Sequence, residues 1–159
     1  MKSVLILQNE IKPYRKPVYN GLAAFCDVVV LHSGTRSVTA NDSYREIITP
    51  QQHLWRFHLQ PKLPLRNIIE SFDVVIAMFD LSWPLYIAPL FWRTRPKYVL
   101  WGHWYSTSRV SNFVRNYLMK RADKLLMYGN EEVQRMISCG ISSSKIVVAP
   151  NTVHVPNSL

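Results

Sequence analysis

The sequence predicts an α/β domain built on a Rossmann-like, mostly parallel sheet with helices on both faces. Two observations carry this expectation. Short aliphatic runs recur along the chain, and segments of helical period separate most of them. The runs also lack the polar alternation of a half-solvated sheet, which fits strands covered on both faces by right-handed crossover helices.

The elements follow in order. Ser3–Leu7 reads as a buried strand that runs into a polar loop. Pro17–Phe25 reads as a helix with Val18, Leu22 and Phe25 on one side, and Pro17 suits its first turn. Asp27–His32 is a Val-rich second strand, and Ser33, Gly34 and Thr35 form the loop after it. Tyr44–Thr49 is expected to be a third strand, and His53–Leu59 an alternating strand nearer an edge. Beyond Pro64 come a helix at Leu65–Phe72, a strand at Asp73–Met78 and a helix at Leu81–Trp92, kinked or interrupted at Pro84 and Pro89. Lys97–Trp101 is a strand, and Ser108–Ala122 an amphipathic helix. Its apolar side is Val110, Phe113, Val114, Tyr117 and Leu118; its polar side is Arg109, Asn112, Arg115, Asn116 and Lys120. Asp123–Tyr128 is a strand, Asn130 an N-cap with Glu131 and Glu132 in the first helical turn, and Gly140 the left-handed residue after Cys139. Lys145–Ala149 is the last strand, stopped by Pro150.

Composition bounds the function. The 159 residues, 48% of them hydrophobic, suffice for one folded domain. The net charge of +9 calls for an anionic partner: nucleic acid, an anionic membrane face or a phosphorylated substrate. Cys26 and Cys139 sit in unrelated segments without metal-ligand spacing, as two reduced thiols of a cytoplasmic protein. Val4–Leu7 is too short for the apolar part of a signal peptide, and Leu81–Trp92 falls short of the about 20 apolar residues that cross a bilayer.

In a parallel sheet, ligands bind beyond the carboxyl ends of the strands, so chemistry is sought in those loops. The loop after the first strand carries Lys12, Tyr14, Arg15 and Lys16 in place of a Gly-x-Gly-x-x-Gly fingerprint, which disfavours nicotinamide or flavin binding. These cations suit a phosphate, Arg15 best of all as a bidentate fork, or else form a solvated basic loop. After Lys97–Trp101, Gly102 lets the backbone turn and His103 projects from the strand end, where an imidazole relays a proton or donates a hydrogen bond. Trp104 and Tyr105 beside it suit stacking on a sugar or capping of the core. The other histidines, His32, His53, His58 and His154, lack ligand spacing, so no metal site is expected. Asp73, Asp80 and Asp123 read as turn and cap residues. Trp83, Trp92, Arg93, Arg95 and Lys97 interleave aromatic and basic side chains, which suits an anionic membrane headgroup layer or a solvated rim.

Several of these segments resemble a bacterial subgroup of family-four glycosyltransferases. Tyr14–Leu22 is similar to their first-helix entry, Leu31–Gly34 to the end of their second strand, and Leu100–His103 to the strand with their cleft histidine. Ala122–Glu132 resembles the next strand and helix; Gly140–Ile141, Lys145–Ile146 and Ala149–Val153 resemble the last strand and the hinge. The resemblance spans essentially the whole chain, with each motif weak alone and their order and spacing specific.

It implies the N-terminal, acceptor-side domain of a GT-B enzyme, residues 1–150, with 151–159 as a hinge-like tail toward a donor-binding domain beyond Leu159. The chain alone is then expected not to turn over substrate. The implied reaction is retaining transfer of a hexosyl-type group from a nucleotide sugar to a glycan or lipid-linked acceptor, in polysaccharide or lipid-linked glycan synthesis, with neither metal nor cofactor. By this resemblance His103 is the catalytic residue, and Lys12, Tyr14, Arg15, Gly102, Asn130 and Glu131 bind substrate. The implied location is cytoplasmic, peripheral on the inner face of the plasma membrane. One departure stands out: many relatives carry a glycine pair where this chain has its Lys/Tyr/Arg loop. The competing expectations are a non-catalytic scaffold paired with a separate donor-binding subunit, and a basic nucleic-acid-binding module. Charge alone supports the second, since no recognition helix, aromatic sheet motif or zinc spacing accompanies it.

Overall fold

The computed structural model describes residues 1–103 and 106–149. The expectations for Trp104, Tyr105, Pro150 and the 151–159 tail therefore lie outside the described residues.

Strands β1 (Ser3–Leu7), β2 (Asp27–His32), β3 (Arg45–Ile48), β6 (Val74–Met78), β7 (Lys97–Gly102), β8 (Lys124–Met127) and β9 (Ile146–Val148) form one parallel sheet in the order β3-β2-β1-β6-β7-β8-β9. Leu7 pairs with Leu31 on one side and Ala77 on the other, so the strands end level at the carboxyl edge. The order reverses between β1 and β6, which makes that gap the topological switch point where such sheets bind ligands.

Right-handed crossovers on the two sides of the switch point send the helices to opposite faces. On one face, α2 (Leu65–Glu70), α3 (Pro84–Ile87), α4 (Arg109–Arg121) and α5 (Asn130–Ser138) cover a core that includes Leu5, Leu7, Val75, Leu100, Leu125, Met119 and Met136. On the other, α1 (Lys16–Ala23) seats Tyr19 edge-on against Tyr44, 5.3 Å between centroids, over Val4, Ile6, Val28 and Val30. Each fully buried aliphatic side chain contributes about 1.5–3 kcal/mol of transfer free energy. Coverage of the α1 face stops short. Burial along β6, β7 and β8 alternates, and Val18, Leu22, Phe25, Ile76, Trp101 and Leu126 line an apolar groove of about 390 Å³ there.

Several elements differ from expectation. His53–Leu59 is an antiparallel hairpin, β4 (Gln52–Leu54) and β5 (Phe57–Leu59), turned by Trp55 at φ 56° and Arg56. Leu81–Trp92 condenses to the single α-turn of α3, with Pro84 in its first turn, followed by a 3₁₀ turn at Ala88–Phe91 with Pro89 as its second residue. Ser108 caps α4 by accepting a hydrogen bond from Ser111 N at 3.3 Å. At α5 the N-cap is Gly129; Asn130 is already helical and makes no capping bond. The helix ends as expected at Gly140, φ 80°, whose N–H bonds Ile137 O while Ile141 N–H bonds Met136 O, a Schellman motif closed by the buried pair Ile141 and Met136.

The largest difference concerns α4. Leu118, Met119 and Ala122 are the buried residues at its end, while Val110, Phe113, Val114 and Tyr117 face outward, Phe113 at 77% exposure. Arg115, expected on the solvated side, turns inward to the strand ends.

Candidate functional site

Beyond the carboxyl ends of β1, β6, β7 and β8 lies a cavity of about 460 Å³. Its walls carry Tyr14, Arg15, Asp80, His103, Arg115 and Tyr128, with Phe79, Trp101 and Gly102 beneath. A smaller recess of about 290 Å³ shares Asp80 and continues toward Glu10, Ser33 and the β4–β5 hairpin, where His58 stacks on Trp83 at 4.7 Å.

The 3₁₀ turn Pro13–Arg15 after the β1 loop aims Arg15 into the cavity. Its guanidinium donates to Gln8 Oε1 and, at 3.1 Å, to the Tyr128 hydroxyl, and lies 4.8 Å above the Trp101 ring. Tyr14 lines the same wall, 5.7 Å from that guanidinium. Burial pushes the Tyr128 phenol up, with the Arg15 charge pulling the other way, so Tyr128 stays a neutral hydroxyl. Burial likewise raises Tyr19 to about 12. The other two cations of that loop point elsewhere. Lys12 pairs with Glu10 at the exposed rim, and Lys16 with Asp42, 3.2 Å away, beneath the β2–β3 loop.

Gly102 ends β7 at φ 156°. A Cβ there would meet Phe79 at ordinary contact distance, 3.5 Å, so the backbone angle rather than the space calls for glycine. This turn places His103 at the mouth, its side chain 70% exposed, with Nδ1 3.6 Å from Glu132 Oε1 and the ring 4.6 Å from Tyr128. The other Glu132 oxygen, Oε2, is buried without a hydrogen-bond partner among the described residues. Asn130 and Glu131 are exposed at the start of α5 and do not line the cavity. On α5 it is the half-buried Glu132 that stands against His103.

Arg115 reaches in from α4. It donates to His103 O at 3.0 Å and sits 4.9 Å over the Phe79 ring; its Nε is buried without a partner among the described residues. Burial lowers its pKa, with the Asp80 carboxylate opposing the shift. Two features made Arg115 hard to find: its heptad phase is that of a surface residue, and its target is a backbone carbonyl.

His32 is structural. It is fully buried, accepts from Gly34 N at 3.1 Å and lies 3.1 Å from Glu46. Gly34 is required there, because a Cβ would stand 2.8 Å from that of Glu10. Among the described residues no group of three or more His, Cys, Asp or Glu is arranged to hold a metal ion, and no helix is long and apolar enough to cross a membrane.

A family model, Glycosyltransferase Family 4, matches residues 8–155. Among solved structures, the fold is similar to HepE of Anabaena in complex with UDP and glucose (TM-score 0.65, 16% identity, 95% of this chain and 45% of that one). The same protein in complex with UDP-glucose matches at TM-score 0.61 and 14% identity, over 95% and 44%. A glycosyltransferase from Rickettsia africae matches at TM-score 0.61 and 14% identity, over 94% and 42%. The chain thus spans less than half the length of these structures. No match to a curated protein was found.

Proposed function

The chain belongs to Glycosyltransferase Family 4, and on that premise we propose that it is the acceptor-side domain of a retaining, nucleotide-sugar-dependent glycosyltransferase. The observation that carries this reading is the cavity at the switch point, with an exposed imidazole, two arginines and aromatic walls at one set of strand ends. Solved structures of similar fold hold UDP-glucose, or UDP and glucose, which supports a nucleotide sugar as donor here. The donor is a hexosyl nucleotide and the acceptor a glycan or lipid-linked precursor. Neither metal nor cofactor takes part in the transfer.

In this reading His103 is the catalytic residue. Glu132 faces Nδ1 and favours a proton there, which leaves Nε2 to hydrogen-bond or exchange a proton with a sugar hydroxyl. Tyr14, Tyr128 and the Gly102 turn shape the pocket, and Asp80 stands between it and the recess toward the hairpin. Lys12, Asn130 and Glu131 are left outside the pocket and bind substrate only if it extends over the rim.

The protein works at the cytoplasmic face of a membrane, held peripherally. The surface for this differs from the one expected from sequence. Trp83 is 3% exposed, Arg95 is bound to Asp123, and Arg115 faces the cavity. What remains outside is the apolar stripe of α4 with Phe91, which stacks on Tyr117 at 6.3 Å. Around it stand Arg93, Lys97, Arg109, Lys120 and Arg121, all exposed. An apolar stripe among cations is the surface that anionic headgroups attract.

The test is transfer from a panel of UDP- and GDP-sugars by a two-domain enzyme carrying this domain. Turnover that survives loss of the His103 imidazole would remove the reading's catalytic centre.

A further inference from the structure

We propose that Arg15 and Arg115 form a clamp for a phosphate group in the switch-point cavity, so that the ligand held by this domain is itself phosphorylated. The clamp rests on the acceptor-side reading for its place in the reaction, but the binding it claims stands on geometry alone. Two guanidinium groups from separate elements, the 3₁₀ turn after β1 and the middle of α4, line one cavity. Among the described residues neither forms an ion pair, and whereas the other unpaired arginines, Arg56, Arg93, Arg109, Arg121 and Arg135, are exposed, these two are half-buried. The Nε of each is buried without a hydrogen-bond partner among the described residues.

Desolvated cations without counter-ions are costly unless something anionic completes them. Burial lowers the pKa of Arg115, and the Asp80 carboxylate opposes the shift through space. The bonds already made hold both forks in place while leaving donors free. Arg15 is fixed by Gln8 and Tyr128 and by the Trp101 face. Arg115 is fixed by the His103 carbonyl and the Phe79 ring. Pre-positioned guanidinium forks match the tetrahedral, multiply charged phosphate better than any neutral sugar hydroxyl. The Arg115 bond to His103 O also keeps one arm of the clamp next to the residue that the transfer reading makes catalytic.

The phosphate has two possible sources, the acceptor or the diphosphate of the donor, and the ligands chosen separate them. Calorimetric titration of the chain with inorganic phosphate, glucose 1-phosphate, UDP, glucose and uridine is the experiment. Phosphate-bearing ligands are expected to bind and glucose and uridine not to. Arg115→Met and Arg15→Met should each weaken the phosphate ligands by roughly 10- to 100-fold. A preference for glucose 1-phosphate over UDP assigns the clamp to the acceptor, and the reverse order assigns it to the donor. Thermal melts accompany every variant. Where Arg115→Met does not fold, Arg115→Lys carries the test, since an ammonium keeps the charge but loses the fork and should cost about tenfold. Phosphate ligands that bind no tighter than glucose and uridine, or Arg115 variants that bind them like the parent chain, would overturn the clamp. Transfer in the two-domain enzyme is measured apart from binding. Loss of transfer with the phosphate site intact therefore counts against the glycosyltransferase reading alone.

Discussion

His103 stands where one imidazole can face both a carboxylate and an open cavity, and the residues around it set its worth. Replacing it with alanine removes a side chain that is 70% exposed, so folding should be unaffected within about 0.5 kcal/mol. Loss of one positioned acid/base group costs on the order of 10²–10⁴-fold in rate. A melting curve beside a transfer assay separates the two effects. Gly102→Ala is the complementary change, expected to destabilise by about 1–2 kcal/mol because φ 156° is strained for any Cβ; a denaturant titration reads it. At this scale the sequence was informative in the loops that follow strand ends, as at Gly102 and His103 after β7 and Arg15 after β1. It was uninformative where phase within a helix decides. Arg115 lines the cavity although the other cations of α4, Arg109, Lys120 and Arg121, are exposed, and Glu132 stands against His103 at the mouth. Neither fact leaves a mark in hydrophobic periodicity.

Helix α4 illustrates what an apolar stripe does and does not say. Val110, Phe113, Val114 and Tyr117 recur at helical spacing, yet the sheet buries only the end of the helix, through Leu118, Met119 and Ala122. Periodicity identifies an apolar face without naming what covers it. If lipid covers it, the chain should sediment with anionic vesicles and not with neutral ones. Each cation near the surface adds about 1 kcal/mol, and raising salt to a Debye length of a few ångströms should release the protein. Phe113→Ser combined with Tyr117→Ser should weaken vesicle binding while leaving the melting temperature nearly unchanged, since both side chains are exposed. Equal partition into neutral and anionic vesicles would contradict this assignment. At the end of α5, Gly140→Ala should cost about 1 kcal/mol on thermal unfolding, because φ 80° favours glycine. That cap was legible from a single Gly after an amphipathic run. The β4–β5 turn was not, because Trp55 and Arg56 are not turn-forming residues, and Trp55 holds a left-handed angle that its type rarely adopts.

Across the molecule, the parallel sheet was legible because most of its strands carry a short aliphatic run and helical patterns separate most of the pairs. Full coverage of both faces was not, since β6 to β8 carry aliphatic side chains on a face that α1 only partly reaches. The titratable groups set the range in which this fold holds. Hydrogen bonds from Asn20 and Thr39, with Lys16, hold Asp42 far below the usual carboxylate range. Burial pushes Glu46 and Asp123 up, but Ser37 and His32 for the one and Arg95 and Tyr98 for the other bring both below their ordinary values. A depressed folded pKa gives stability that is whole above the unfolded value, about 4, and is lost as pH falls below it. Burial raises the phenols of Tyr19, Tyr44, Tyr86 and Tyr98. Their contribution is whole below the unfolded value of about 10 and is lost as pH rises through the folded values. Stability from denaturant titrations should therefore be flat between about pH 5 and 9 and fall on either side.

The central claim is that this cavity is the acceptor side of a sugar-transfer site whose donor is held by a second domain. Transfer from a panel of UDP- and GDP-sugars, measured for the 159-residue chain alone and for a two-domain enzyme that contains it, tests that claim most directly. The account predicts no turnover and at most weak nucleotide-sugar binding by the chain alone. It predicts turnover by the two-domain enzyme that falls on the order of 10²–10⁴-fold with His103→Ala at unchanged melting temperature. Micromolar binding of a nucleotide sugar by the chain alone, or near-parental turnover by the His103→Ala enzyme, would contradict it.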